Sequence, residues 1–173
     1  MTSATPRIAL GIATLVVALL AAPTAAGAGT LEFGGGTAPA ISDFTGVTLN
    51  GAPQLTSLTV APFSVNDTTL SGAGWNVTLS IPDLVNAGST IPASTFVMGA
   101  PVVTASGGAD ITNVVGHASS GNFAAGEKVV TAAVGFGDGT YLVSPKPVMV
   151  VVPINAIAGT YTSSATIAVV SGP

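Results

Sequence analysis

The chain has one histidine, and proton-transfer chemistry at neutral pH would start there. His117 lies in the run Gly116-His117-Ala118-Ser119-Ser120-Gly121, two residues from a serine. A nucleophile and its base are usually delivered by separate segments, and no G-x-S-x-G elbow is present. The surrounding glycines and serines read as a loop in which histidine is an ordinary polar residue. Paired carboxylates could hydrolyse a glycoside. Glu32, Asp43, Asp67, Asp83, Asp110, Glu127 and Asp138 are scattered, however, and most sit in turn-like sequences where aspartate is common. One imidazole and no cysteine give zinc too few donors. No D-x-[DN]-x-[DN]-G calcium loop occurs, so a calcium ion held by turn carboxylates has no motif behind it. The glycine-rich run Gly135-Phe136-Gly137-Asp138-Gly139 lacks the Lys-Ser/Thr of a phosphate loop, and its Asp-Gly pair reads as a hairpin turn. The expectation is a non-enzymatic protein with no catalytic residue, metal or cofactor.

The elements that would position any site follow from composition. Charged residues are 6% of the 173 and hydrophobic residues 48%, with a formal net charge of -4. The cations are Arg7, Lys128 and Lys146, so the basic footprint that nucleic acid requires is missing. Aliphatic residues diluted by Gly, Ser and Thr point to β-structure with many turns. The N-terminus reads as an export leader. A short segment bearing Arg7 precedes the apolar run 8–22, Pro23 breaks it, and Ala26-Gly27-Ala28 offers a small-residue cleavage site. A cleavable signal-peptide helix over residues 1–28, cut after Ala28, is therefore expected. No stable membrane span would remain, because the next apolar run, Val148–Val152, is strand-length and ends at Pro153. The Ser-Gly-Pro end carries no sorting motif, so release or non-covalent retention at the cell surface is expected.

Residues 29–46 are rich in Gly and Pro and predict a short strand over 30–33 followed by a loop. From 47 to 173, short β-like runs alternate with glycine-containing turns. Residues 75–81 put Trp75, Val77, Leu79 and Ile81 on one face and Asn76, Thr78 and Ser80 on the other. Residues 160–170 alternate likewise, Tyr161, Ser163, Ala165, Ile167 and Val169 against Thr162, Ser164, Thr166 and Ala168. Further strands are predicted over 55–65, 95–105, 128–136, 140–143 and 147–152. Pro101 places the second of these at an edge or a bulge. The prediction is all-β: an antiparallel, immunoglobulin-like β-sandwich with Phe63, Trp75, Phe96 and Phe136 among its core.

Two stretches carry a resemblance. The first runs from Phe63 through Asp67 and Gly72-Ala73-Gly74-Trp75 to Ile81. The second comprises Gly139-Thr140-Tyr141-Leu142-Val143-Ser144-Pro145, then 148–153, then Ala158-Gly159-Thr160-Tyr161-Thr162 onward to Val170. In order and content they resemble the WxL-domain surface proteins of Gram-positive bacteria. That resemblance implies a domain over 47–173 attached non-covalently to cell-wall peptidoglycan, with other surface proteins as possible partners. It implies binding positions at Trp75, Val77, Tyr161, Ile167 and Val169. The family's Trp-x-Leu pairs are altered, to Trp75-x-Val77 and to Ile167-x-Val169. Beside its neighbours on a strand face, Trp75 reads as core before it reads as a sugar-stacking platform. The expected function is a secreted, wall-associated binding module. The alternative is an extracellular subunit that assembles by strand pairing.

Overall fold

The computed structural model describes residues 7–15, as backbone only, and 29–173. Residues 1–6 and 16–28, and with them the expected cleavage position Ala28, lie outside the described residues. The strands in chain order are β1 Arg7–Leu15, β2 Leu31–Phe33, β3 Val47–Thr48, β4 Gln54–Leu58, β5 Phe63–Asp67, β6 Trp75–Ser80, β7 Leu84–Asn86 and β8 Ser89–Ile91. They continue as β9 Val97–Met98, β10 Val102–Ser106, β11 Val114–Gly116, β12 Ser119–Ser120, β13 Glu127–Ala132, β14 Gly139–Ser144, β15 Val148–Val152 and β16 Thr160–Ser171. Among the described residues helix is confined to three short 3-10 turns, at Gly34–Gly36, Ala93–Thr95 and Phe123–Ala125.

One layer is a sheet in the order β11-β13-β6-β16-β1-β3, with the β7–β8 hairpin on β16. The pairing of β16 with β6 sets Ile167 opposite Leu79, Val169 opposite Val77 and Ser171 opposite Trp75. The inward row of β6 thus meets the inward row of β16. The other layer consists of two short sheets, β10-β14-β5-β2 and β12-β9-β15-β4. These share three long strands, each interrupted at the same level. β4 leads into β5 across Pro62, β9 into β10 across Pro101, and β14 into β15 across Pro145 and Pro147. The register confirms the alignment: Ser144 faces Val102 and Val143 faces Phe63 on one side of the break, and Val148 faces both Met98 and Leu58 on the other. Proline has no N–H for a ladder, so prolines at one level crease the sheet along a line.

The two layers close on an apolar core that includes Leu58, Val65, Trp75, Val77, Leu79, Phe96, Phe123, Tyr141, Val150, Tyr161 and Ile167, each at most 1% exposed. Burying each large apolar side chain contributes about 1.5–3 kcal/mol of transfer free energy. The rings of Trp75 and Tyr141, from opposite layers, lie 5.6 Å apart at 57°. Phe96 links Phe44, at 5.7 Å, to Phe123, at 6.3 Å. A small apolar hollow lies under the crease between Pro101, Pro145, Phe63 and Ile167.

The antiparallel sandwich matches the sequence reading, and three details correct it. Of the expected leader only Arg7–Leu15 is described, as a strand paired in parallel with β16. The Asp138-Gly139 hairpin is absent, because β13 pairs with β6 and β11 whereas β14 pairs with β5 and β10. The loop between them crosses from one layer to the other. Residues 55–65 form two strands, split before Pro62. Phe136 is only half-buried, because it lies on the crossing loop beyond the end of β13.

Candidate functional site

Of the five positions that the resemblance marks, four are sealed in the core. Trp75, Val77 and Tyr161 are 0% exposed and Ile167 is 1% exposed, while Val169 is half-buried and packs against them. They are brought together across β6 and β16, with Val77 and Val169 directly opposed. Trp75 Nε1 donates to the Gly137 carbonyl at 2.9 Å, and the Tyr161 hydroxyl pairs with Ser89 Oγ at 2.8 Å. The buried rings of Trp75 and Tyr161 present no face on which a sugar could stack, and the five side chains join the two strands.

His117 and its neighbouring serine make structural hydrogen bonds. His117 continues β11: its main-chain N–H donates to the Val129 carbonyl, and Nε2 bonds Thr131 Oγ1 at 2.7 Å. Buried Ser119 directs its hydroxyl to Glu127 Oε2 at 3.4 Å. The imidazole therefore bonds a threonine and the serine a carboxylate, which is not the serine–histidine bond that nucleophile activation requires. Asp67, Asp83 and Asp110 serve as local backbone caps. Asp67 Oδ1 accepts from the N–H and hydroxyl of Thr69 at 2.9 and 2.6 Å. Asp83 Oδ1 accepts from the Ala93 N–H at 2.8 Å. Asp110 Oδ1 accepts from the Thr112 N–H at 2.8 Å, and that backbone bond, helped by the Thr112 hydroxyl, holds its carboxyl below the usual range. Among the described residues no three His, Cys, Asp or Glu side chains come together as metal ligands, and no helix is long and apolar enough to cross a membrane.

What the fold does assemble is a polar surface. On the face of β13, β6 and β16 turned away from the core, Lys128 faces Thr78, Thr131 faces Asn76, and Ser80 faces Thr166. Thr162 and Ser164 extend the row along β16, and both are exposed. Thr131 and Lys128 reach this face together because of a register shift between Lys128 and Val130, which seats both Val129 and Val130 in the core. Asn76 donates through Nδ2 to the Gly172 carbonyl. The surface offers hydroxyl groups in quantity, with one ammonium and the His117 imidazole at its margin. The outward face of the creased layer differs, carrying exposed Leu55, Val97, Met149 and Val151, with Val151 opposite Leu55 and Met149 opposite Val97.

The alternation of residues 75–81 and 160–170 foretold the members of the polar face on each strand. That β13 contributes Lys128 and Thr131 was not foreseeable, since a register shift leaves no mark in periodicity. No family model matches the chain, and no curated protein and no solved structure matches it.

Proposed function

We propose that the protein is a secreted, non-enzymatic module that associates non-covalently with cell-wall peptidoglycan at the cell surface, as its resemblance to the WxL-domain proteins implies. The observation that carries this reading is the hydroxyl-rich face of β13, β6 and β16, with Thr78, Ser80, Thr131, Thr162, Ser164 and Thr166 in neighbouring rows. A glycan with amide substituents is recognised largely by hydrogen bonds, and hydroxyl side chains can both donate and accept them. The face is nearly uncharged, which suits a polymer recognised by its hydroxyls and amides rather than by ion pairing. The two altered Trp-x-Leu segments lie side by side on β6 and β16, directly beneath this face, which fits a role in holding its strands together.

The test is sedimentation of the processed chain with isolated Gram-positive walls. The protein is expected in the pellet and is released by denaturant without proteolysis. The variant Thr78→Glu/Thr166→Glu, altered on the outward face, is expected to stay in the supernatant while still melting in one cooperative transition. A wild-type chain that remains wholly in the supernatant overturns the reading.

A further inference from the structure

The edge of β16 turned away from β6 is unlike any other among the described residues. Its first half, from Thr160 to Ala165, is covered by β1, in register from Ala9 opposite Thr160 to Leu15 opposite Ala165. That pairing is parallel, whereas the other strand pairings are antiparallel. β1 also carries β3, through Ile8 opposite Val47, and β3 pairs with no other strand among the described residues. The second half of the edge, from Thr166 to Ser171, bears no strand among the described residues. β16 is twelve residues long and its sequence, TYTSSATIAVVS, contains neither a charge nor a proline. These are the devices that keep a sheet edge from pairing with another chain, and this edge has neither. The creased layer, by contrast, has prolines at every long strand.

We propose that the outer edge of β16 is an acceptor for a second copy of this chain, and that the leader strand β1 covers it until the leader is removed. The inference rests on the proposed export and processing of the chain. Removal of residues 1–28 takes away β1 and leaves the whole edge unpaired, with β3 detached from the sheet. Two identical edges are self-complementary about a two-fold axis, with the strands antiparallel, so that each copy supplies the other's missing neighbour. Exposed Thr162 and Ser164 lie on this strand, which itself carries no charge.

The experiment uses the processed chain recovered from the culture medium, with its N-terminus established by mass. Light scattering across a concentration series is expected to give an apparent mass rising to twice that of one copy. The variant Thr162→Lys/Ser164→Lys would set like charges near one another across the contact and is expected to remain a single copy, with the tryptophan fluorescence of the folded protein retained. Adding the nine-residue peptide RIALGIATL, the sequence of β1, is expected to return the wild type to one copy. A processed chain that stays a single copy at every concentration overturns the proposal. So does a dimer that persists in the lysine variant and in the presence of the peptide. Wall sedimentation is scored separately, so loss of wall binding does not change this result, nor does this result decide wall binding.

Discussion

Trp75 shows how one side chain can set the relation between two layers. Its ring is fully buried, its Nε1 reaches the carbonyl of Gly137 on the crossing loop, and its face meets Tyr141 of the opposite layer. Trp75→Phe keeps much of the apolar contact but leaves that carbonyl without its donor. The expected loss is about 1–3 kcal/mol in denaturant unfolding. Gly137 has φ +95, and a Cβ there would lie 2.6 Å from both Ala132 Cβ and Trp75 Nε1. Gly137→Ala is therefore expected to cost more than about 1 kcal/mol, measured in the same way. The Tyr141 hydroxyl donates to the carbonyls of Asp110 and Asp138, at 2.7 and 3.1 Å. Burial, followed by the nearby charges of Asp110, Asp138 and Asp67, raises its pKa above the usual value. A raised acid pKa means that the folded state holds the proton more tightly. The associated stability is complete below the unfolded pKa of about 10 and is lost as pH rises through the folded value. Tyr141→Phe is expected to flatten that alkaline decline in a series of melting curves. The packed role of Trp75 was legible because its i+2 neighbours are aliphatic. Its bond to Gly137, 62 residues away, was not, because nothing local marks a contact between distant segments.

At the scale of elements, strands with strict alternation were legible and their partners were not. Residues 75–81 and 160–170 announce their faces, and the structure pairs them in antiparallel register. The glycine-rich turn at 137–139 misled, since Asp-Gly permits a hairpin without requiring one, and here Gly135 and Gly137 instead carry the chain across layers. Pro62, Pro101, Pro145 and Pro147 could each be read as a local break. Only the tertiary register shows that the breaks fall on one line, which makes them a crease. Main-chain amides next to the crease should exchange with deuterium faster than those of Val65, Tyr141 and Val150 in the middle of the flanking ladders. Hydrogen-exchange mass spectrometry or NMR reads this difference directly. Uniform protection along the three long strands would show that the crease does not weaken the ladder.

The whole molecule is close to electrically silent, with 6% charged residues and a formal net charge of -4. Its folding free energy should change by less than about 1 kcal/mol between low and high salt, since few ion pairs are there to be screened. Melting in a series of sodium chloride concentrations measures this, using a chloride salt so that stabilising anions such as sulfate do not enter. Its surface chemistry was legible only as an inventory, because a sequence names hydroxyls without showing which strands lie side by side. The position of β16 has a consequence for the order of events at the ribosome. Of the described strands it is made last, yet it takes one whole edge of β6 and the tip of β7. Until it emerges, Trp75, Val77 and Leu79 lack the neighbour strand that completes their layer. The ladders of β5, β10 and β14 need no part of β16, so they can form first, but the layer that holds Trp75 closes only once β16 is available.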